Sequence, residues 1–302
     1  ATSVDQLPHH LISLWLFGHK LMFPIPDIDR TDYFLMIGAN PVASNGSIWT
    51  VPDVRKRIKS LTERGGKLVV IDPRRTETAE LATAHHAVKP GTDAALLLAM
   101  IHLLFRDNLV QLGHLTDFVD GLSDIQRAVV HYTPEWAASH TGMAEEDIVQ
   151  LTHDFAAADK AICYGRMGVS TQRFGTLCQW AIQVVNVLTG NLDREGGSLF
   201  TLPAVDQVVG ASPGGFGRHT SRVRQLPEFD RELPVACLAE EIRTPGEGQI
   251  RALFTGAGNP VLSTPAGDDL DGALEGLDFM VSLDPWINET TRHADVILPP
   301  TS

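Results

Sequence analysis

The sequence is poor in cysteine. Its 302 residues include only three cysteines, Cys163, Cys178 and Cys237, and no two of them form a CxxC pair. Cysteine alone therefore cannot build a zinc or iron–sulfur site from these residues. We expect the three thiols to be buried as small apolar side chains. Their scarcity favours a reducing compartment, and we expect a cytoplasmic protein.

The sequence also lacks a long apolar run and an excess of positive charge. The densest apolar run, at 94–105, is shorter than the roughly 18 residues of a membrane span and is typical of a buried helix. We expect no signal peptide. The net charge of −13 argues against DNA, RNA or an anionic membrane as a partner. The basic run at 55–57 is interpreted as the solvated face of a helix.

The composition is that of a globular protein. Hydrophobic residues make up 43% of the chain and charged residues 20%. A length of 302 residues is enough for one large or two ordinary domains. Because the sequence starts with Ala1 and stops at Ser302 directly after a predicted strand, we interpret it as a piece of a longer polypeptide.

Three short motifs occur twice, in the same order. A glycine-containing turn ends in Asn-Pro, a following apolar run ends in Asp-Pro, and a third similar string comes next. Such a repeat predicts two βα units that open in the same way. The copies are IGANPVAS (37–44) and TGAGNPVLS (255–263), VVIDPRRTET (69–78) and VSLDPWINETT (281–291), and HHAVKP (85–90) and RHADVILPP (292–300).

Short apolar runs alternate with helical patterns, which predicts an α/β fold with parallel strands. The chain holds one nearly complete doubly wound domain and the beginning of a second. Residues 196–250 are rich in Gly, Pro and Arg and are interpreted as a crossover with long loops. Strands are predicted at 33–37, 67–71, 87–89, 160–164, 250–254, 278–283 and 294–298, and helices at 51–64, 76–84, 94–105, 134–139, 144–158, 174–188, 235–242 and within 266–276.

Both copies of the repeat place their turns at the carboxyl ends of parallel strands, where open sheets bind ligands. A glycine turn admits a phosphate close to the backbone. Asp72 and Asp284 end the next strands, where a carboxylate can accept hydrogen bonds from ribose hydroxyls or from a guanine. The fingerprint GxGxxG is missing from both turns, which disfavours an ordinary NAD or FAD site. The alternative is a duplicated structural unit that binds no ligand.

The motifs together resemble molybdopterin-dependent oxidoreductases of the dimethyl sulfoxide reductase superfamily, which includes formate dehydrogenases and nitrate reductases. The resemblance covers essentially the whole chain. Its motifs are specific as a set and weak singly. They are IDRTDYFLMIGANPVASN, VVIDPRRTETAELATAHHAVKPGTDAALLLAMIHLLF, YGRMGVSTQ, LTGNLDREGG and INETTRHADVILPPTS.

The resemblance implies two Rossmann-like domains related by pseudo-symmetry, at 1–199 and, in part, at 200–302. Each would bind one molybdopterin guanine dinucleotide, and the two pterins would share one molybdenum or tungsten ion. By family position the first site would comprise Asn40, Ser44, Asp72, Arg74, Gly91, Asp93, Gly165, Met167, Gly168 and Gln172, and the second Gly256, Asn259, Pro260, Ser263, Asp284, Asn288 and Thr291. Arg74 and Arg75 have an alternative interpretation as surface partners of acidic residues.

The protein ligand of the metal is expected near the start of the chain. The resemblance implies this position, because in the family a Ser, Cys, selenocysteine or Asp a few dozen residues before the first turn coordinates the metal. Counting back that far from IGANP reaches residues 1–10, which contain no cysteine. Ser3 is the candidate for both metal ligand and catalytic residue, with Asp5 as the alternative, unless the ligand lies upstream. His9 and His10 are interpreted as the start of a helix, with proton transfer as the other possibility.

The sequence departs from the family at several points. Formate dehydrogenases that resemble this chain carry an arginine shortly after the segment LTGNLDREGG, where it can pair with a carboxylate substrate. Here the stretch that follows is SLFTLPAVDQ and contains no arginine, which puts formate oxidation in doubt. The cysteine cluster of an iron–sulfur centre and the C-terminal domain are not in this segment, so we expect it to be inactive alone. The whole protein would oxidise or reduce a small substrate and exchange electrons with a partner or iron–sulfur subunit. The alternatives are a non-catalytic nucleotide- or pterin-binding relative and a NAD-dependent dehydrogenase.

Overall fold

The chain folds into two compact units. The computed structural model describes residues 2–301. The first unit comprises residues 8–213, and the second comprises residues 2–7 together with 214–301. This division comes later in the chain than the predicted boundary at 199/200, and the first residues group with the second unit. The assignment of one dinucleotide to each domain stays a prediction.

The first unit is built on a parallel sheet. Its strands are β1 (Ile25–Pro26), β2 (Tyr33–Ile37), β3 (Lys67–Ile71), β4 (Ala84–His86), β5 (Ala161–Gly165) and β6 (Ser198–Leu199). Four of them pair in parallel in the order β4-β3-β2-β5, and β1 pairs with β6 in antiparallel orientation. Because β3 and β4 extend to one side of β2 and β5 lies on the other, the order reverses between β2 and β5.

Helices cover both faces of this sheet, as a buried parallel sheet requires. Tyr33, Leu35 and Ile37 pack into one core with the apolar helix at 93–106, and Phe34 and Met36 pack into the other. The helices of the unit are α1 (Leu7–Phe17), α2 (Pro41–Ser44), α3 (Val54–Glu63), α4 (Asp93–Arg106), α5 (Leu122–Val129), α6 (Pro134–Thr141), α7 (Glu145–Ala157), α8 (Met167–Ser170), α9 (Gly175–Leu188) and α10 (Gln207–Gly210).

The second unit has a smaller parallel sheet. Its strands are β7 (Phe216–Thr220), β8 (Pro227–Phe229), β9 (Ala252–Gly256), β10 (Phe279–Leu283) and β11 (Val296–Ile297), and its helices are α11 (Leu238–Arg243), α12 (Pro260–Ser263) and α13 (Gly267–Leu274). The parallel order is β11-β10-β9, and β7 and β8 form an antiparallel pair. Met280 packs with α11 and α13 in a core on one face of this sheet.

The parallel α/β fold is confirmed, and so is the burial of the three cysteines. The predicted helix at 76–84 and strand at 87–89 are wrong, since Ala79–Leu81 is a single 3-10 turn and β4 comprises Ala84–His86. The reason lies at Thr83, whose hydroxyl oxygen and amide both bond the backbone of Leu68, at 3.1 and 2.8 Å. The chain is therefore already paired with β3 where the helix was expected.

Candidate functional site

Asn-Pro turns with the same backbone geometry follow β2 and β9. Asn40 has φ and ψ of −129° and 69°, and Asn259 has −119° and 73°. Each asparagine precedes a proline that begins a short helix, α2 or α12. The fixed φ of proline suits the first position of a helix, so each turn is held rigid at the carboxyl end of its strand.

The side chain of Asn40 is held by the loop that follows β3. Its Nδ2 donates to Glu77 Oε2 at 2.7 Å, and its Oδ1 accepts from Thr78 Oγ1 at 2.7 Å. Thr78 Oγ1 in turn accepts from the Val42 amide at 3.2 Å. The predicted residue Ser44 donates its hydroxyl to the Asn40 carbonyl at 3.3 Å. The side-chain amide of Asn40 is thus engaged by the loop after β3, which fixes the turn.

The second turn repeats these four hydrogen bonds with the same atom types. Asn259 Nδ2 donates to Glu289 Oε2 at 2.7 Å, and Asn259 Oδ1 accepts from Thr290 Oγ1 at 2.7 Å. Val261 N donates to Thr290 Oγ1 at 3.1 Å, and the Ser263 hydroxyl donates to the Asn259 carbonyl at 3.0 Å. The hydrogen bond from Asn259, together with one from its own backbone, lowers the pKa of Glu289, which favours the ionised acceptor.

The two aspartates that end β3 and β10 also occupy matching positions. Asp72 Oδ1 accepts from the Arg74 amide at 2.9 Å, and Asp284 Oδ1 accepts from the Trp286 amide at 2.8 Å. Asp284 Oδ2 additionally accepts from Asn288 Nδ2 at 3.4 Å. Within residues 2–301, Asp72 Oδ2 accepts no hydrogen bond, so this oxygen is open to a ligand donor.

The loops after β2 and β5 meet at the point where the strand order reverses. Gly168 N donates to the Gly38 carbonyl at 2.9 Å. A Cβ atom on Gly168 would lie 2.8 Å from Gly38 Cα, a distance that side chains do not tolerate. Gly38 has a φ of +55°, which glycine adopts at little cost. The two glycines therefore bring both loops into backbone contact at the edge where such sheets bind ligands.

Four of the predicted residues come together beside this contact. Gln172 Nε2 donates to Asp93 Oδ2 at 2.8 Å and to the Gly168 carbonyl at 3.1 Å. A Cβ atom on Gly91 would lie 3.9 Å from Gln172 Oε1. That oxygen is buried and accepts no hydrogen bond within residues 2–301. A buried acceptor of this kind costs free energy unless a donor reaches it, and a bound ligand fits that need.

Burial raises the pKa of Asp93, and the hydrogen bond from Gln172 opposes the rise. A raised carboxyl pKa in the folded state means that stability falls as the pH rises from the ordinary carboxyl pKa to the raised one. Asp93→Asn keeps the acceptor for Gln172 and removes the buried charge. We expect this variant to unfold at a higher temperature than the parent at neutral pH and at the same temperature near pH 3. Thermal unfolding curves across pH check this, and an equal loss of stability at both pH values would contradict it.

Most of the other residues near β5 pack against the chain, and Met167 is the exception. Gly165 is enclosed, since a Cβ there would meet Ile182 and Val169 at 2.5 and 2.6 Å. His9 lies in the first turn of α1, which confirms the helix-start interpretation, and its Nε2 lies 3.2 Å from the Gly165 carbonyl. Met167 is exposed at the start of α8. Arg166, which the sequence did not single out, is buried and donates to Ser47 Oγ at 2.7 Å.

Ser3 lies in the second unit, in the 3-10 turn Thr2–Val4. Its hydroxyl oxygen accepts from the Val235 amide at 3.1 Å. Within residues 2–301 it shares no hydrogen bond with the residues of the second Asn-Pro turn. The only metal-type cluster within the described residues is Cys237, Glu240 and Glu241. Glu240 and Glu241 are ion-paired with Arg224 and Arg222, so the carboxylates of this cluster are already neutralised.

Sequence reasoning missed the glutamate and threonine that hold each turn. The pattern that could have identified these residues is the Glu-Thr pair, which occurs in both copies of the repeat, at 77–78 and 289–290. The structure unites most of the predicted residues into two matching sets, one at the carboxyl edge of each parallel sheet. These sets define an α/β protein with a duplicated Asn-Pro turn at the carboxyl edge of a parallel sheet.

The chain matches the family description "Molybdopterin oxidoreductase" over residues 5–302. It therefore belongs to the molybdopterin oxidoreductase family. That family implies a molybdenum or tungsten pterin cofactor. No helix within the described residues has the length and apolar character needed to cross a bilayer.

Relatives come from archaea and bacteria. The chain is 29% identical over 286 residues to the F420-dependent formate dehydrogenase subunit alpha of Methanocaldococcus jannaschii, covering 91% of this chain and 42% of that protein. It is 28% identical over 293 residues to formate dehydrogenase H of Escherichia coli, covering 92% and 40%. It is 28% identical over 306 residues to a nitrate reductase of Symbiobacterium thermophilum, covering 91% and 39%. The chain thus spans about two fifths of the length of these relatives.

The fold has a solved counterpart. The structure of acetylene hydratase from Pelobacter acetylenicus superposes with a TM-score of 0.75 and covers 97% of this chain and 43% of that one. The two sequences are 18% identical, so this match shows a shared fold and nothing further.

Proposed function

We propose that this chain is the central, cofactor-binding part of an oxidoreductase that holds two molybdopterin guanine dinucleotides, one at each Asn-Pro turn. The observation that carries the proposal is the duplication of one hydrogen-bond network, Asn40–Glu77–Thr78 and Asn259–Glu289–Thr290. A rigid turn, an adjacent aspartate and a glycine-lined edge suit a ligand with phosphates and a base. Two copies suit two such ligands.

In the first unit, each proposed contact with the dinucleotide follows from the chemistry of the residue that makes it. The backbone at Gly38 and Gly168 admits a ligand closely, and Gln172 Oε1 would accept one of its hydrogen bonds. Asp72 Oδ2 would accept from a guanine or ribose, and the Arg74 guanidinium would pair with a phosphate. The Asp93 carboxyl holds Gln172 in position at 2.8 Å.

The second unit would hold its dinucleotide in the same way, with fewer charges. Gly256 and the backbone of the Asn259-Pro260 turn would face the ligand, beside Ser263. Asp284, whose Oδ2 accepts from Asn288 Nδ2 at 3.4 Å, would accept from the base. Thr291 Oγ1 accepts from the Asn288 amide at 2.8 Å and so would support this position of Asn288. Trp286 and Ile287 replace the two arginines of the first copy at the matching positions.

The metal carried by the pterins supplies two-electron redox chemistry on a small-molecule substrate. We propose Ser3 as its protein ligand, because a hydroxyl that accepts from Val235 N keeps a second lone pair. In the whole protein, an iron–sulfur cluster and an electron-transfer partner would exchange the electrons. The buried free thiols are in keeping with the cytoplasmic location that we propose.

The test is the cofactor content of the full-length protein. We expect about one molybdenum or tungsten and two guanine nucleotides per chain, measured by elemental analysis and by native mass spectrometry. Folded protein without metal and guanine, from a host that makes the cofactor, would overturn the proposal. Metal content that is unchanged in Ser3→Ala, with an unchanged metal X-ray absorption spectrum, would overturn the assignment of Ser3 alone.

A further inference from the structure

A groove in the first unit lies between α7 and the edge of the parallel sheet. It has a volume of about 180 Å³, and strands β2, β3 and β4 form its floor. The outermost of these strands is β4. The facing wall is formed by Asp147, Gln150, Leu151 and Asp154, because residues three, four and seven positions apart lie on one side of a helix. None of the described residues that line the groove belongs to the predicted dinucleotide sites.

The side chain of Tyr33 lines this groove without a hydrogen-bond partner. Tyr33 is only 3% exposed, and its ring packs edge-on against Phe155 of α7, with the ring centroids 5.8 Å apart. Within residues 2–301 its hydroxyl group makes no hydrogen bond. A buried hydroxyl costs free energy unless a partner reaches it. Burial raises the pKa of this phenol, and the charge of Asp154 adds to the rise, so the hydroxyl stays protonated and can donate.

The carboxylates of the groove differ in how far they are already engaged. Lys67 donates to Asp154 Oδ2 at 3.0 Å, and Gln150 donates to Asp154 Oδ1 at 2.7 Å. Burial opposes the ionisation of Asp154, but these two hydrogen bonds outweigh it and lower the pKa. The side chain of Asp147 is 54% exposed, and its Oδ2 lies 3.9 Å from His86 Nδ1, beyond hydrogen-bond distance. Because Lys67 neutralises Asp154, the carboxylate of Asp147 is the charge left for a ligand.

The size and lining of the groove limit what it can hold. A cavity of about 150 Å³ in an apolar interior holds one benzene molecule, so this groove has room for about six to ten non-hydrogen atoms. Val69, Ala84 and Leu151 give it an apolar lining. Water can satisfy the Tyr33 hydroxyl but gains nothing from this lining, whereas a ligand with a carbon skeleton gains from both.

We propose that the groove binds a small amine that also carries a hydroxyl group. Its ammonium pairs with the Asp147 carboxylate, its carbon skeleton lies against Val69 and Leu151, and its hydroxyl both donates to and accepts from Tyr33. Asp147 and Asp154 are two helical turns, about 10 Å, apart, and Tyr33 lies at the Asp154 end. The two polar groups therefore lie at opposite ends of the ligand. This inference concerns the first unit alone and does not depend on the cofactor.

Ligand-observed NMR titrations of the full-length protein test the groove with three probes. Tyramine carries an ammonium and a hydroxyl at opposite ends, phenethylamine lacks the hydroxyl, and 3-(4-hydroxyphenyl)propionate has a carboxylate in place of the ammonium. We expect tyramine to bind about fivefold more tightly than phenethylamine, which is the contribution of one hydrogen bond. We expect the propionate to bind most weakly of the three, because the Asp147 carboxylate repels it.

Two variants change opposite ends of the groove. We expect Tyr33→Phe to abolish the preference for tyramine over phenethylamine, and Asp147→Asn to weaken the binding of both amines about threefold, since an exposed ion pair is lost. Tyr132→Phe is the matched control, because it removes the hydroxyl of a tyrosine that packs on Trp136 outside the groove. We expect it to bind all three probes as the parent does.

The outcomes decide between a ligand site and a groove that holds only water. Saturable tyramine binding that follows this pattern supports the proposal. A lack of saturable binding by both amines overturns it, and so does binding that is unchanged in both Tyr33→Phe and Asp147→Asn, since the amines then bind elsewhere. Propionate binding as tight as that of tyramine overturns the assignment to an amine. Two variants guard against one that fails to fold, which circular dichroism would reveal.

Discussion

Asp72→Asn and Asp284→Asn are each expected to weaken the binding of one guanine dinucleotide by about 30-fold, about 2 kcal/mol for the loss of charged hydrogen bonds. An asparagine keeps the acceptor for the Arg74 or Trp286 amide. At residue 284 it loses the acceptor for Asn288 Nδ2, so the folding of Asp284→Asn is checked by circular dichroism. An asparagine cannot present two acceptor oxygens to a base. The measurement is the rate at which guanine nucleotide leaves the purified full-length protein, followed by mass spectrometry.

The control is Asp120→Asn, which makes the same replacement of a carboxylate by an amide at an exposed aspartate in the first unit. We expect its nucleotide release to match that of the parent. If both site variants released nucleotide at the parent rate, the two aspartates would be structural caps and the assignment would be wrong. An effect of Asp72→Asn alone would limit the proposal to the first site.

Gly168→Ala is expected to lower the free energy of unfolding of the first unit by about 2 kcal/mol, the cost of forcing a methyl group into a packed contact. The added Cβ would lie 2.8 Å from Gly38 Cα, and both partners are backbone atoms that cannot rotate away. The loops after β2 and β5 must then separate. Chemical denaturation of the full-length protein, followed by tryptophan fluorescence, measures the loss.

Gly210→Ala is the matched control, since a Cβ there meets nothing within 4 Å. It also lies at the end of a helix, α10, where alanine is tolerated. We expect it to change the unfolding free energy little. Equal stability of Gly168→Ala and Gly210→Ala would mean that the two loops are not in contact in the protein.

Much of the fold could be predicted because its signals are local. The strands of the parallel sheets are short apolar runs such as YFLMI and KLVVI, which are typical of strands buried on both faces. The helix at 94–105 follows from one continuous apolar stretch, and the structure places it at Asp93–Arg106. The error at 76–84 arose because Thr83 pairs with Leu68, a partner that a local pattern does not reveal.

The candidate sites likewise contain residues that the sequence predicts and residues that it does not. Asn40, Asp72, Asn259 and Asp284 could be predicted because the turns repeat in the sequence. The partners that hold these turns could not be predicted, since Thr78 reaches Asn40 across 38 positions. Gln172 and Asp93 are 79 positions apart in the sequence and are joined by a hydrogen bond. That Gln172 Oε1 is buried without a donor could be found only from the three-dimensional structure.

The sequence by itself determined that the chain has an α/β fold with a repeated opening unit, because strand periodicity, proline turns and glycine turns depend on neighbouring residues. Only the tertiary structure decided which loops meet and which amide is already engaged. Strand order and register bring Gly38 to Gly168, and the loop after β3 brings Thr78 to Asn40. Strand order is set by the packing of whole layers, and no short stretch of sequence encodes it.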